Sequence, residues 1–281
     1  MKNRGIIPIN KPKGWTSFDV VNKLKHMLKP LKVGHLGTLD PMATGVLLVT
    51  VGKATKLFDI MQEKRKTYIS TFEFGYSTDT LDSTGKTIKI CEKIPTKDEI
   101  LKIIPKFIGK ISQMPPKYSA KSINGYRAYD LARQGIEFEL KPKIVEVYNI
   151  KLLSYENNKL EIEIQCGSGT YIRSIGRDIA QELDSLATMI ELVRTDVGNF
   201  NLRNCIDIND IDNVQDIILP IKEILSFEKL EIDNNEKFKL LNGQTLTINK
   251  SNGVYALEDE FDTIALIEIN QNKAKMSVFL G

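Results

Sequence analysis

A chain of 281 residues, 42% of them hydrophobic, is sized for one large domain or a large domain with a small appendage. With a net charge of only +3, two histidines (His26, His35) and three scattered cysteines (Cys91, Cys166, Cys205), it excludes chemistry built on several imidazoles and argues against a zinc site or a disulfide framework. No apolar run approaches the roughly 20 residues a bilayer needs, and the opening "MKNRGIIPINKPKG" has no signal-peptide apolar stretch, so the expected address is the cytoplasm.

In chain order, "KGWTSFDVVNKLKHMLK" reads as a helix. Thr16 and Asp19 form a capping-box-like start, and Val20, Val21, Leu24 and Leu28 form an apolar stripe. "GVLLVTVG" is β-branched, apolar and bounded by glycines, as a buried strand would be. "KTYISTFEFG" alternates polar and apolar and reads as another strand. "PTKDEILKIIPKFIGKI" carries a second capping box, Thr96 with Glu99, and a helix that Pro105 should kink or interrupt. The Pro-, Tyr- and Lys-rich "MPPKYSAKSINGYRAYDLARQG" reads as a connector and then a short helix ending near Gly135.

"IVEVYNIKLLSY" and "KLEIEIQCGSG" read as paired strands joined by a polar "ENN" turn. "TYIRSIGRDIAQEL" is helical, with Ile172, Ile175, Ile179 and Leu183 along one side. After "ILPIKEIL" the texture changes to short strand-like runs punctuated by Asn-Gly pairs, which favour turns. A boundary is therefore expected near 226, with a small β-rich module over 227–281.

Charge is unevenly spread. Residues 1–70 hold 13 Lys/Arg against 4 Asp/Glu, residues 71–199 balance at 18 each, and residues from 200 onward hold 8 against 14. A basic front suits a polyphosphate partner such as RNA, and equally suits a plain solvated lysine surface. Within it lies "KVGHLGTLDPMATGVLLVTVGKATK", with a lone acid, Asp40, before Pro41. The proline biases Asp40 towards extended backbone, and Gly34, Gly37 and Gly45 permit positive φ and close approach. A carboxylate so presented can be a nucleophile, a base or a metal ligand, or it can cap local amides as an Asx-turn. The metal reading is poor, since no acid or histidine sits at ligand spacing. GxxxxGK[ST] is absent. In "CGSGTYIRSIGRD", Gly167 and Gly169 lead into a helix whose first turn can offer N–H groups to an anion, with Arg173 and Arg177 on one face. An Arg there can orient a carboxylate or simply sit in a surface ion pair.

Five blocks, "INKPKGWTSFDVV", the Asp40 block, "KRKTYISTFEFGYSTDTLDSTG", "PPKYSAKSINGYRAYDLARQGI" and "CGSGTYIRSIGRDI", occur in the order and approximate spacing of the bacterial tRNA pseudouridine-55 synthases of the TruB family, which the chain resembles over residues 6 to about 200. That resemblance implies an α+β catalytic fold, with a mixed, mostly antiparallel sheet flanked by helices and cleft across the middle. Residues 1–226 would form this domain, 115–137 a flap over RNA, and 227–281 a PUA-like β module. It implies isomerisation of uridine to pseudouridine in the T-loop of tRNA, the base being detached at N1 and reattached through C5, with no cofactor and no metal. Asp40 would be the nucleophile, attacking C1′ or C6, or acting in an elimination to a glycal. Tyr68 would stack on the flipped base and help remove the C5 proton, and Arg173 would pair with the aspartate. Tyr171 would contact substrate, Leu192 would line the uracil pocket, and His35 would help hold the RNA loop open. Gly37 and Thr38 belong to the same substrate-binding block.

By the same resemblance Lys11, Lys13, Lys64, Arg65, Lys66, Lys117, Lys121 and Arg127, with Tyr118, Tyr126 and Tyr129, would grip the phosphates of the T-arm hairpin. The acidic "EDEFD" at 258–262 argues against strong phosphate contact by the C-terminal module. The expected partner is tRNA, with no membrane, and the chain is expected to be a monomer. Two alternatives are a chaperone that opens the tRNA elbow and the same chemistry on another RNA hairpin.

Overall fold

The computed structural model describes residues 2–62, 65–119, 121–123, 125–225 and 227–281; Lys64 and the boundary expected at 226 lie outside them. The chain opens with β1 (Gly5–Lys11), then α1 (Ser17–Met27), β2 (Val33–Leu36), β3 (Thr44–Val51) and α2 (Phe58–Gln62). The middle runs through β4 (Lys66–Phe74), β5 (Tyr76–Thr78), β6 (Thr87–Ile90), α3 (Lys97–Ile103), β7 (Gly109–Gln113), β8 (Ser122–Ile123), β9 (Tyr126–Arg127) and α4 (Ala128–Arg133). There follow β10 (Lys143–Glu156), β11 (Lys159–Cys166), α5 (Ile172–Glu182), β12 (Ala187–Val197), β13 (Phe200–Asn201) and β14 (Ile206–Asp207). The last stretch holds β15 (Glu228–Lys229), α6 (Asn234–Leu241), β16 (Leu246–Thr247), β17 (Gly253–Glu258), β18 (Thr263–Asn270) and β19 (Lys273–Phe279).

Both expected capping boxes are present. Thr16 accepts from the Asp19 N–H while the Asp19 side chain accepts from the Thr16 N–H, and Thr96 and Glu99 do the same for α3. Pro105 ends α3 rather than kinking it. Its fixed φ fits the first turn of a 3-10 segment over Ile104–Phe107, after which Gly109 takes φ 99° and the chain becomes β7. The "ENN" turn forms as expected, with Asn157 and Asn158 both at positive φ between β10 and β11. The Asn-Gly pairs behave differently. Asn242-Gly243 closes α6, a helix not expected from the sequence, whereas the β18–β19 hairpin turns on Gln271-Asn272.

The chain divides into two compact units: Met1–Pro41 with Val46–Gln62 and Asn199–Gly281, and Met42–Gly45 with Glu63–Gly198. In the first, β1 pairs parallel with β14 and neighbours β3, on which β2 lies antiparallel. Ile6, Ile7 and Ile9 are wholly buried, as are Val46 to Val49 and the Val20 and Leu24 stripe of α1. The same unit contains a five-stranded sheet ordered β15-β17-β18-β19-β16, closed over Leu240 of α6, Tyr255, Leu257 and Ile267. Its acidic turn is anchored by Arg4, whose guanidinium meets Asp259 at 3.6 Å and Asp262 at 3.5 Å. Asp262 also accepts from the Lys222 N–H. Burial pushes the Asp259 carboxyl up, but the N–H groups of Asp262 and Phe261 and the Arg4 charge together hold it below its usual range. Part of the "EDEFD" charge is thus neutralised within the fold.

In the second unit β12, β4, β11, β10 and β7 form a continuous antiparallel run, and Thr44 and Gly45 add parallel pairing on β12. Gly45 is required there, because a Cβ would lie 2.2 Å from the Arg194 carbonyl oxygen. The β4 burial pattern alternates without a break, so Lys66, Tyr68, Ser70, Phe72 and Phe74 face inward together. Helix α5 covers that face through Gly176, whose missing Cβ would meet the Phe72 ring at 2.1 Å. Ala at this position improves helix propensity by up to about 1 kcal/mol. It also drives a methyl into a ring that is 1% exposed, so a net destabilisation of roughly 1–2 kcal/mol is expected for Gly176→Ala, read by urea unfolding; unchanged stability would mean the ring can yield. The α+β class and the mixed, mostly antiparallel sheet agree with the sequence expectation.

Candidate active site

Asp40 follows β2 in a segment pinned at both neighbours. The Ser17 hydroxyl, buried on the first turn of α1, accepts from the Leu39 N–H at 2.9 Å and donates to the Leu39 carbonyl at 3.2 Å. The Pro41 carbonyl accepts from the Gly14 N–H at 2.8 Å. Gly37 sits at φ 87°, which lets the chain leave β2 and reach this position. Asp40 itself is half-buried, Leu39 is buried and Thr38 is exposed. His35 is half-buried on β2, opposite Val49.

Lys11 does not lie on the surface, as a phosphate-gripping residue would. It is wholly buried, and its ammonium donates to the carbonyls of Pro12, Trp15 and Pro41 at 2.9, 2.6 and 3.4 Å. A cation serving carbonyls on both sides of the 12–15 turn fixes the Asp40 segment from below.

In the second unit, register gathers several candidate groups on one face. Tyr68 is flanked across the ladder by Ile164 and Arg194, and Leu192 stands opposite Ser70, so Tyr68 and Leu192 share the face that α5 covers. Tyr68 is 8% exposed and Leu192 6%, an apolar wall beside an aromatic face. Lys66 and Arg194 are buried on the same face. Burial, reinforced by the Arg194 guanidinium, pushes the Lys66 ammonium down to about 8, and burial pushes the Cys166 thiol up to about 11. Lys66, like Lys11, is therefore an interior cation; Lys13, Arg65, Lys117 and Arg127 are exposed, and Lys121 is half-buried with its ammonium on the Lys141 carbonyl. The exposed tyrosines of the connector are Tyr126 and Tyr129, whereas Tyr118 is half-buried.

Arg173 occupies the first turn of α5 and is 6% exposed. Its Nη1 donates to the Thr80 carbonyl at 3.0 Å and meets Asp82 at 3.3 Å, and its Nη2 donates to the Tyr118 carbonyl at 3.1 Å. Asp82 is 4% exposed and accepts in addition from the Thr80 hydroxyl and the Thr84 N–H. The 80–84 loop is pinned to β12 by bonds between Leu81 and Met189 and between Ser83 and Met189, with Leu81 held at φ 64°. A left-handed leucine is costly, and it survives where surrounding bonds over-determine it. Asp82 was not singled out from the sequence, although "STDTLDSTG" contains it; nothing local distinguishes it from Asp79. Arg177, read on the same helix face as Arg173, donates to the Asp178 carboxylate and the Met114 carbonyl.

Tyr171 is the N-cap residue of α5 and is half-buried. Its N–H donates to the Gln113 side chain at 2.8 Å, so that first-turn donor is already used. Beside it lies a cavity of about 220 Å³ lined by Gln113, Pro115, Lys121, Lys143, Gly169 and Tyr171 among others. Among the described residues no group of three or more His, Cys, Asp and Glu side chains could hold a metal ion, and no helix is long and apolar enough to cross a membrane.

Residues 25–172 match the family described as TruB family pseudouridylate synthase (N terminal domain). The fold is shared along 99% of the chain with the solved structures entitled "Crystal Structure of a Cbf5-Nop10-Gar1 Complex" (TM-score 0.73, 23% identity, 84% of that chain) and "Structure of H/ACA RNP bound to a substrate RNA containing 2'-deoxyuridine" (TM-score 0.72, 22% identity, 85% of that chain). With the family match over residues 25–172, the chain falls in an enzyme class, the pseudouridine synthases. The chain is similar to proteins named tRNA pseudouridine synthase B from Fusobacterium nucleatum subsp. nucleatum, at 45% identity over 95% of this chain and 96% of the relative. It is similar also to those of Clostridium kluyveri, at 42% over 85% and 84%, and Mycoplasma mobile, at 39% over 98% and 94%. It belongs to the TruB family of pseudouridine synthases, and is an isomerase.

Proposed function

We propose that this enzyme converts uridine to pseudouridine in tRNA, at the T-loop uridine of position 55, with Asp40 as the nucleophile and the base flipped out of the loop. The relatives named tRNA pseudouridine synthase B support the substrate class. The observation that carries the assignment of Asp40 is its setting. A half-exposed carboxylate on a backbone clamped through Leu39 and Pro41 is presented at fixed position, with the reorganisation already made in folding.

The reaction is an isomerisation. The N1–C1′ bond breaks, a C5–C1′ bond forms, the C5 proton leaves and N1 gains a proton, so no water, oxidant or reductant is consumed. A single nucleophilic carboxylate suffices, where hydrolysis would call for a flanking pair. Tyr68 offers a ring for stacking and a hydroxyl for the C5 proton. Arg173 supplies a fixed guanidinium that pairs with and orients a carboxylate. Leu192 forms an apolar wall for the uracil, and Tyr171 contacts the nucleotide from the start of α5. His35, with Gly37 and Thr38, meets the opened loop, the imidazole filling the stack that the target base leaves, at an unstacking cost of a few kcal/mol.

Exposed Lys13, Arg65, Lys117 and Arg127 serve the phosphates of the T-arm, with 115–137 as the flap over them. Lys11 and Lys66, being buried, act by holding the site. The C-terminal module of residues 227–281 contributes mainly support. Unmodified tRNA transcript incubated with the enzyme and mapped for pseudouridine is expected to carry product at the T-loop uridine. Product only at another hairpin would redirect the substrate assignment, and tRNA annealing without product would favour a chaperone.

A further inference from the structure

Helix α5 begins without a side-chain cap of its own, since Tyr171 at the N-cap position makes no such bond. The tie comes from Gln113 at the end of β7, 58 positions away in the chain. The Gln113 Oε1 accepts from the Tyr171 N–H at 2.8 Å, and the Gln113 Nε2 donates to the Tyr171 carbonyl at 3.2 Å. A carboxamide that accepts from one residue's N–H and donates to the same residue's carbonyl has one orientation only. Gln113 is 1% exposed, so neither bond is shared with bulk water.

The next residue continues the stitching. The Met114 carbonyl accepts from the Ser174 hydroxyl and from Arg177 Nη2, each at 2.9 Å. The first turn of α5 is thereby fixed to the end of β7, at the root of the 115–137 connector. That turn carries Arg173 and presents the Tyr171 side chain.

We propose that Gln113 is a positioning residue for the isomerisation: its carboxamide sets the backbone of Tyr171, and through it the direction in which Tyr171 and Arg173 meet the nucleotide. This rests on the reading of Tyr171 and Arg173 as site residues given above. A hydrocarbon of the same length fills the space and makes neither bond. An ionised carboxylate accepts from the Tyr171 N–H but turns its second oxygen on the Tyr171 carbonyl. A protonated carboxyl restores both bonds, its O–H donating where the amide did.

The test is Gln113→Glu beside Gln113→Met, assayed with tRNA transcript at 25 °C between about pH 6 and pH 8 and normalised at each pH to the unaltered enzyme. A buried carboxyl facing a carbonyl has its pKa raised, so protonation falls within this range. Gln113→Glu is expected to lose ten- to hundredfold in kcat near pH 8, as a small misplacement of catalytic groups does, with little change in KM for tRNA. The loss should shrink as pH falls. Gln113→Met should lose a similar factor at every pH.

Near-UV circular dichroism and thermal melting at each pH separate misplacement from unfolding. A purely structural role lowers the melting temperature and leaves kcat at 25 °C intact, and that result in either folded variant overturns the proposal, as does a folded Gln113→Glu whose loss ignores pH. Should Gln113→Glu fail to fold, full kcat in Gln113→Met decides against it and a selective loss of kcat decides for it. An unaltered enzyme that makes no pseudouridine would instead count against the functional reading itself.

Discussion

Asp40→Asn is expected to abolish pseudouridine formation, by at least about a thousandfold in single-turnover rate, because an amide cannot serve as the nucleophile. The substitution changes almost no volume, and the bonds made by the Leu39 and Pro41 backbone do not depend on the Asp40 side chain. Binding of tRNA should therefore stay within about twofold, because the exposed cations proposed to meet phosphate are untouched. Rapid-quench mapping of pseudouridine beside filter binding checks both halves. Product at an undiminished rate would remove Asp40 from the chemistry. Loss of binding in step with activity would make it a structural residue.

The second large effect is expected at the buried pair of Arg173 and Asp82. Asp82→Asn keeps the shape of the 80–84 loop, since an amide oxygen still accepts from Thr80 and Thr84, but it removes the negative charge 3.3 Å from Arg173. Deleting one partner of a buried pair costs about 3–5 kcal/mol. A loss near the lower end is expected here, because the carbonyls of Thr80 and Tyr118 still receive the guanidinium. The rate should fall about a hundredfold, since the guanidinium loses the Asp82 carboxylate that helps direct it. Urea unfolding and kcat measured together distinguish the two contributions. A variant as stable and as fast as the unaltered enzyme would show the pair to be incidental.

The parts of the fold that could be read from sequence were those governed by local rules. Thr16 with Asp19 and Thr96 with Glu99 announce helix starts through side chains three residues apart, and Asn157-Asn158 announces a hairpin because both residues tolerate positive φ. What escaped was set by distant partners. Strand β1, "GIIPINK", shows little alternation because it is buried between β14 and β3, and β12 owes its path to pairing with β4 and β3. Gly176 looks like a helix-weakening residue until Phe72 is seen beneath it.

The candidate site divides in the same way. Asp40 stood out because a lone acid among glycines before a proline is locally unusual, and the five sequence blocks supplied Tyr68 and Arg173. The long-range ties to the backbone beside Asp40 and Arg173 were not legible. Ser17 reaches Leu39 across 22 positions and Gln113 reaches Tyr171 across 58. Lys11 and Lys66 misled for a physical reason: charge counted along a chain does not reveal which ammonium groups are buried on carbonyls or beneath a sheet face.

The most direct test of the proposed chemistry follows the hydrogen at C5. A tRNA transcript carrying tritium at C5 of its uridines should, with this enzyme and no added cofactor, release a single equivalent of tritium to water while the RNA chain keeps every base. Release of free uracil, or conversion without loss of tritium, would contradict an isomerisation that moves the glycosidic bond from N1 to C5.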